Sequence, residues 1–195
     1  ENGDVIDYYP NGRIKNKAHF IDGELNGEVI SYSENGNIIE KVFMKGKLLN
    51  GDAFAYYPNG KLKEKDSFKN GKREGESTIY YENGNVKQKS TFKNDKREGD
   101  LFIYYPSGKL RQTEKFINGK AEGEVIEYYE NGEKKFYCNE TSDRWSCEEY
   151  NKNGILKGKN RIAPALKKGN GVAGEFLADM LLYIFFDSLF YYLFD

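Results

Sequence analysis

The sequence predicts a mainly β fold: an elongated, twisted, single antiparallel meander of β-hairpin repeats, closed by one C-terminal α-helix. Three observations carry that expectation. A 24-residue segment recurs six times from the N-terminus, and a period of this length marks a tandem array. Every copy holds two glycines at fixed places. Finally, the stretch from Glu175 to Asp195 is far more apolar than anything before it.

The first glycine column precedes an acid, at Gly3-Asp4, Gly27-Glu28, Gly51-Asp52, Gly75-Glu76, Gly99-Asp100 and Gly123-Glu124. The second marks a turn, at Gly12, Gly36, Gly60, Gly84, Gly108 and Gly132. Within a copy, apolar and polar residues alternate between turn signals, the pattern of short strands. Tyr57-Pro58-Asn59-Gly60-Lys61 suits a three-residue hairpin with Gly60 in the left-handed region, and Asn70-Gly71 suits a type I′ turn. Pairing Tyr57 with Lys61 sets Tyr56 opposite Leu62, and a period of two then gathers Phe54, Tyr56, Leu62 and Phe68 on one face. The same reading groups Ile6, Tyr8, Ile14 and Phe20 in the first copy, and Phe102, Tyr104, Leu110 and Phe116 in the fifth. Phe43 follows Phe20 by 23 residues and precedes Phe68 by 25. That spacing predicts a deletion in the second copy, compensated by an insertion near Leu48-Leu49, with a bulge as the outcome. Two strands per copy advance the sheet by roughly 10 Å, so six copies span on the order of 60 Å.

Composition bounds the core and the function. Of 195 residues, 38% are hydrophobic and 31% charged, and the mean hydropathy is −0.82, so the core must be thin. The 16 Tyr and 13 Phe supply burial at half-covered strand positions. A net charge of −1 gives no electrostatic case for nucleic acid. No carboxylate pair, nucleophile constellation or metal cluster rises above the repeating background, so neither catalytic residues nor a metal or other cofactor are expected.

The run Tyr-Tyr-x-Asn-Gly-Lys-Leu-Lys, followed by Phe-Lys-Asn-Gly-Lys-x-Glu-Gly-Glu, resembles the MORN repeat in the bacterial variant of the YwqK-like antitoxins. The resemblance covers residues 1–132 and fades to about residue 160. It implies a non-enzymatic array whose roles in the family are scaffolding, lipid association and the neutralisation of toxins.

Two finer patterns lie inside the repeat. The residue before the turn Asn or Ser alternates as Pro10, Glu34, Pro58, Glu82, Pro106 and Glu130, so that Lys61 is flanked by Glu34 and Glu82 on one sheet edge. This reads either as duplication of a 48-residue unit or as a charge-alternating edge that holds register. The second tyrosine of each pair forms a column, Tyr9, Tyr57, Tyr81, Tyr105 and Tyr129, interrupted by Ser33. Its members are candidate partner-binding residues, because tyrosines on a rigid sheet bind at low entropic cost. The alternative is that the rings only cover neighbouring Lys and Arg stems.

After residue 132 the pattern decays, and residues 133–160 read as a capping repeat. There Cys138 and Cys147 bracket eight residues; a hairpin turning at Ser142-Asp143 sets them opposite each other and makes them a candidate disulfide. Two nearby cysteines with none left over, and a chain beginning at Glu1 without Met, favour an exported or cell-surface protein over the cytoplasmic alternative. Residues 161–174 read as a linker.

Residues 175–195 read as a helix with a polar stripe at Asp179, Tyr183, Asp187, Tyr191 and Asp195. Its apolar surface is Phe176, Leu177, Met180, Leu181, Ile184, Phe185 and Leu189. Asp187 at mid-segment disfavours a transmembrane span. The face is expected to cover the sheet, with dimerisation or membrane association as the alternatives. Together these readings describe a protein-binding module whose partner, on the family resemblance, includes toxins. The alternatives are a secreted or surface scaffold and a lipid-associated module.

Overall fold

The computed structural model describes residues 2–141 and 144–162, and they form one antiparallel sheet. Its strands begin with β1 (Gly3–Tyr8), β2 (Ile14–Ile21), β3 (Glu24–Tyr32), β4 (Ile38–Lys45), β5 (Leu48–Leu49), β6 (Gly51–Tyr56), β7 (Leu62–Lys69), β8 (Lys72–Arg73) and β9 (Gly75–Tyr80). They continue as β10 (Val86–Lys93), β11 (Lys96–Arg97), β12 (Gly99–Tyr104), β13 (Leu110–Ile117), β14 (Lys120–Tyr128), β15 (Lys134–Thr141), β16 (Arg144–Tyr150) and β17 (Leu156–Ile162). Chain neighbours pair throughout, which makes the sheet the expected meander. The short β5, β8 and β11 are the opening ends of β6, β9 and β12, separated from them by a bulge. The expected linker and the helix over 175–195 lie outside the described residues, which contain no helix.

The first turn of each copy has the expected three-residue form. The Tyr57 N–H donates to the Lys61 carbonyl at 2.8 Å and the Gly60 N–H to the Tyr57 carbonyl at 2.8 Å, with Gly60 at φ 80°. Tyr56 faces Leu62 as expected, but Ala55 faces Glu64, so Lys63 is an extra residue that bulges from the register. One extra residue reverses the alternation beyond it. Phe68 therefore lies on the face opposite Phe54, Tyr56 and Leu62, which corrects the grouping read from spacing alone. The first and fifth copies behave alike: Gly3 faces Phe20 while Ile6 faces Lys17, and Gly99 faces Phe116 while Phe102 faces Thr113.

The second turns step by 24 without a break. Asn70 and Gly71 have φ of 51° and 80°, the type I′ pattern, whereas Gly46 alone is positive in its turn, at φ 60°. Met44 pairs with Leu49 as Phe68 pairs with Arg73. The second copy thus carries no deletion. Met44 occupies the phenylalanine position and is buried, while Phe43 points to the other face, opposite Glu28.

Between copies the register moves by two residues. Phe92 faces Arg97 while Gln88 faces Ile103, and the Glu98 N–H donates into the offset, to the Thr91 carbonyl at 2.8 Å. From the second copy on, each Gly–acid pair sits in such an offset, with φ of 134° at Gly27 and 135° at Gly51. An insertion of two keeps the face unchanged where an insertion of one reverses it. In the last unit β15 and β16 pair without any shift. The missing offset explains why Gly154 follows Gly132 by 22 residues instead of 24.

All twelve buried hydrophobic residues, from Ala18 to Cys147, lie on the Phe68 face. Without a second layer among the described residues, that face holds the core, and side chains lying along the strands cover it. A Cβ added at Gly51 would come 3.0 Å from the Phe43 Cβ, at a φ that L residues rarely adopt. Gly51→Ala is expected to destabilise the protein by roughly 1–3 kcal/mol, read as the shift of the urea midpoint, whereas Gly51→Asn loses no less.

Candidate interaction surface

The two faces treat charge differently. On the Phe54 face one row across the sheet runs Ile6, Lys17, Ile30, Lys41, Phe54, Lys65 and Thr78. Beside it stand the acids of the Gly–acid column, and those of the first three copies each take the lysine thirteen residues on. Lys17 lies 2.8 Å from Asp4, Lys41 2.5 Å from Glu28 and Lys65 2.9 Å from Asp52. These half-exposed pairs hold the Asp4 and Asp52 carboxyls below the usual carboxylate range and raise the lysines. His19 lies 2.8 Å from Asp4. In the first three copies these acids and lysines are thus matched within the face.

The Phe68 face carries the tyrosine column. Alternation places Tyr57 beside Ala55, away from Phe54 and Tyr56. Each hydroxyl donates to the carbonyl of the first tyrosine of a later unit: Tyr9 to Tyr32 at 2.6 Å, Tyr57 to Tyr80 at 2.7 Å, Tyr81 to Tyr104 at 2.8 Å, Tyr105 to Tyr128 at 2.7 Å and Tyr129 to Tyr150 at 3.0 Å. Burial raises the Tyr57 and Tyr81 hydroxyls. The Lys87 ammonium lies 5.9 Å from the Tyr81 ring centre and the Arg111 guanidinium 5.9 Å from that of Tyr105. The hydroxyls therefore stitch repeat to repeat, while ring faces such as those of Tyr81 and Tyr105 meet cations.

The same face holds acids in its interior. Asp66 and Glu114 are buried, and Gln112 donates to Glu114 at 3.2 Å. Burial alone pushes the Glu40 carboxyl up to about 7. Burial and the neighbouring Asp66 push Glu64 upward as well. Toward the C-terminal end Lys135 lies 3.0 Å from Glu127 and Lys157 2.8 Å from Glu149. None of these acids is marked by the repeat pattern; only the register reveals that they share the core face.

Along the first-turn edge, amides join successive turns. Asn59 donates to the Glu82 carboxylate at 3.1 Å, Asn83 to the Pro106 carbonyl at 2.8 Å and Asn131 to the Lys152 carbonyl at 2.8 Å. On the opposite edge, Lys69, Asn70, Lys72, Glu74 and Asn94 line a groove of ≈ 390 Å³.

Cys138 and Cys147 face each other across β15 and β16 and are joined, with S–S 2.12 Å and Cα–Cα 4.1 Å. The proposed helix face, Phe176, Leu177, Met180, Leu181, Ile184, Phe185 and Leu189, lies outside the described residues. Among the described residues no group of three or more His, Cys, Asp or Glu could hold a metal ion, and no helix is long and apolar enough to cross a membrane.

The family described as the MORN repeat variant matches the chain at residues 1–22, 25–45, 49–70, 73–94, 97–118 and 121–139. These intervals follow the hairpins and stop where the two-residue offset is lost. None of the curated proteins matches the chain.

The raised Glu40 carboxyl sets the sign of a pH effect. Between about 4.5, the ordinary glutamate value, and about 7 the folded chain keeps a proton that the unfolded chain releases. Its stabilising contribution is full below that window and falls as pH rises through it. Asp4 and Asp52, whose values are lowered, lose their contribution only below the window. The urea midpoint should therefore fall between pH 5 and pH 8, by the equivalent of roughly 1–2 kcal/mol. Glu40→Gln should flatten that fall.

Proposed function

Because the chain belongs to the MORN repeat variant family, we propose that it is a non-catalytic interaction module that holds a protein partner across the Phe68 face of its sheet. The observation that carries this reading is the contrast between the faces. The Phe54 face closes its charges in pairs. The Phe68 face presents a column of tyrosine rings beside buried carboxyls, among them Glu40, which burial alone pushes up to about 7. Aromatic rings on a rigid backbone are features of binding hot spots.

The finer reading is an antitoxin- or immunity-like role, in which the partner is a toxin; its support is the resemblance of the repeats to the YwqK-like group. A second reading, a secreted or surface scaffold, is favoured by the Cys138–Cys147 bond, because such bonds persist in oxidising compartments.

Neighbouring residues on opposite faces provide the test. Phe102 and Ile103 are both half-buried in β12. With the full chain as bait in extracts of its source cells, Ile103→Lys should lower recovery of the bound protein by roughly tenfold, the equivalent of about 1.4 kcal/mol. Phe102→Lys should leave recovery within about twofold, a fraction of that energy. Circular dichroism checks that both variants fold. The reverse pattern, or recovery lost only on deletion of residues 175–195, contradicts the proposal.

A further inference from the structure

Among the described residues β1 pairs only with β2 and β17 only with β16, so each has one flank without a strand. The two flanks are not alike. β1 is the first strand of a unit, the place held by β6 and β12. The unit read as a cap ends in a regular second strand, because Tyr150 faces Leu156 as Tyr56 faces Leu62. At internal junctions a second strand meets the first strand of the following unit, as β2 meets β3, β7 meets β9 and β15 meets β16. β17 of one molecule and β1 of another are therefore the two halves of one more such junction. They run antiparallel, since first strands run toward the first-turn edge and second strands away from it.

The internal junctions fix the register. Glu64 faces Ile79 and Lys65 faces Thr78, just as Asn16 faces Ser31, Lys17 faces Ile30 and Ala18 faces Val29. Counted from the equivalent glycines Gly154 and Gly3, this register sets Gly158 against Asp7 of a second molecule, Lys159 against its Ile6 and Asn160 against its Val5. The last of these corresponds to the place where β15 and β16 set Cys138 against Cys147, with Cα atoms 4.1 Å apart.

Exposure and charge both fit a second molecule as the occupant. Val5 is 52% exposed, whereas its equivalents Val29 and Leu101, flanked on both sides, are 3% and 4% exposed. Tyr8 and Leu156 are exposed as well, and the register brings them together at the first-turn edge of the Phe54 face. β17 carries Lys157, Lys159 and Arg161 and no acid, while β1 carries Asp4 and Asp7 and no cation. Thirteen residues before Lys159 stands Ser146 in place of the usual acid, and Lys159 takes Glu148 instead. Within the array such a lysine also feels the acid of the next unit, as Lys65 feels Glu76, and Asp4 of a second molecule holds the place of Glu76. At the turn, Asn153 holds the place of Asn83, whose amide donates to the Pro106 carbonyl, and Pro10 of a second molecule holds the place of Pro106. Pairing of β1 with β1, or of β17 with β17, would instead bring like charges together, which destabilises a strand pair.

We propose that the chain associates head to tail with a second copy of itself, the outer flank of β17 receiving β1 of the next molecule as a further strand. An unpaired flank is a template for such addition. The contact joins two different surfaces, so it is heterologous and can repeat from molecule to molecule.

The test uses the full chain. Val5→Cys and Asn160→Cys variants, the second labelled with 15N, are mixed in a glutathione redox buffer, and mass spectrometry counts the disulfide-linked dimers. Random collision gives as much mixed dimer as the two like dimers together. Head-to-tail pairing should raise the mixed dimer roughly tenfold above that, because the bond forms only where Cβ atoms are close and aligned, and peptide mapping should place it between positions 5 and 160. Lys159→Cys, which points to the other face, should give no excess in place of Asn160→Cys. Without added cysteines, sedimentation velocity should show an average mass that rises with concentration, with Kd of about 100 μM. Val5→Lys, at a position exposed in the single molecule, should raise that Kd at least roughly tenfold, and Lys159→Glu should raise it as well, with circular dichroism unchanged in both. A mixed dimer no more abundant than the like dimers, or an equal excess with Lys159→Cys, overturns the proposal. So does a chain that stays monomeric, as it would if its own residues 163–195 covered β17. Association that survives Val5→Lys and is lost on deletion of residues 175–195 overturns it too, by assigning the contact to that segment.

Discussion

Among the described residues the sheet is a single layer with no opposing one, and that constraint shapes the rest of the described structure. Cohesion must come from the neighbouring repeat, within reach of a few side chains. The tyrosine hydroxyl that reaches the next unit's carbonyl meets the constraint directly, recurring as Tyr9–Tyr32, Tyr57–Tyr80, Tyr81–Tyr104 and Tyr105–Tyr128. One side chain covers core surface with its ring and fixes the spacing of two repeats with its hydroxyl. The turn asparagines do the same along the edge, as Asn83 does with the Pro106 carbonyl. Neither contact extends beyond an adjacent unit, so the array is cohesive only from neighbour to neighbour.

Two kinds of insertion then decide what each face becomes. The single extra residue after the first turn, Lys63 in the third copy, moves Phe68 away from Phe54. The double insertion at the Gly–acid pair leaves the faces as they were, so that all the buried apolar residues collect on one side. The acids of that pair fall on the other side, opposite the lysine row, and close their charges there. Acids at other positions, such as Glu40 and Asp66, fall on the core face and have fewer cations within reach. Register thus sorts the charges between the two faces of a chain whose overall charge is almost balanced.

The architecture was legible in the sequence because turn chemistry is local. Gly60 and the Asn70-Gly71 pair each require a backbone shape that few other residues adopt, and both occur where expected. The face of Phe68 was not legible, since a bulge residue such as Lys63 carries no composition of its own and looks like any other strand lysine. Phe43 misled for a related reason. Aromatic identity suggested that it continued the Phe20 and Phe68 column, whereas the buried position accepts Met44, which is equally apolar and more adaptable. The role of the tyrosine hydroxyls was hidden as well, because their acceptors are backbone carbonyls, which every residue has. The change from 24 to 22 residues at the last turn was visible, but its cause, the loss of a two-residue offset beside Cys147, appears only in the pairing of β15 with β16.

The central claim is that each repeat is held by its neighbours through contacts that recur at 24 residues, and removal of one whole unit tests it most directly. Deletion of residues 75–98 joins Glu74 to Gly99 and sets Tyr57 against the Tyr104 carbonyl, a contact equivalent to the one lost. The account predicts a folded, shorter protein with the same circular dichroism per residue and a cooperative urea transition, somewhat earlier than that of the full chain. It also predicts that deleting 75–96 instead, two residues fewer, breaks the offset and the cooperativity with it. An unfolded 24-residue deletion, or equal behaviour of the two, would contradict it.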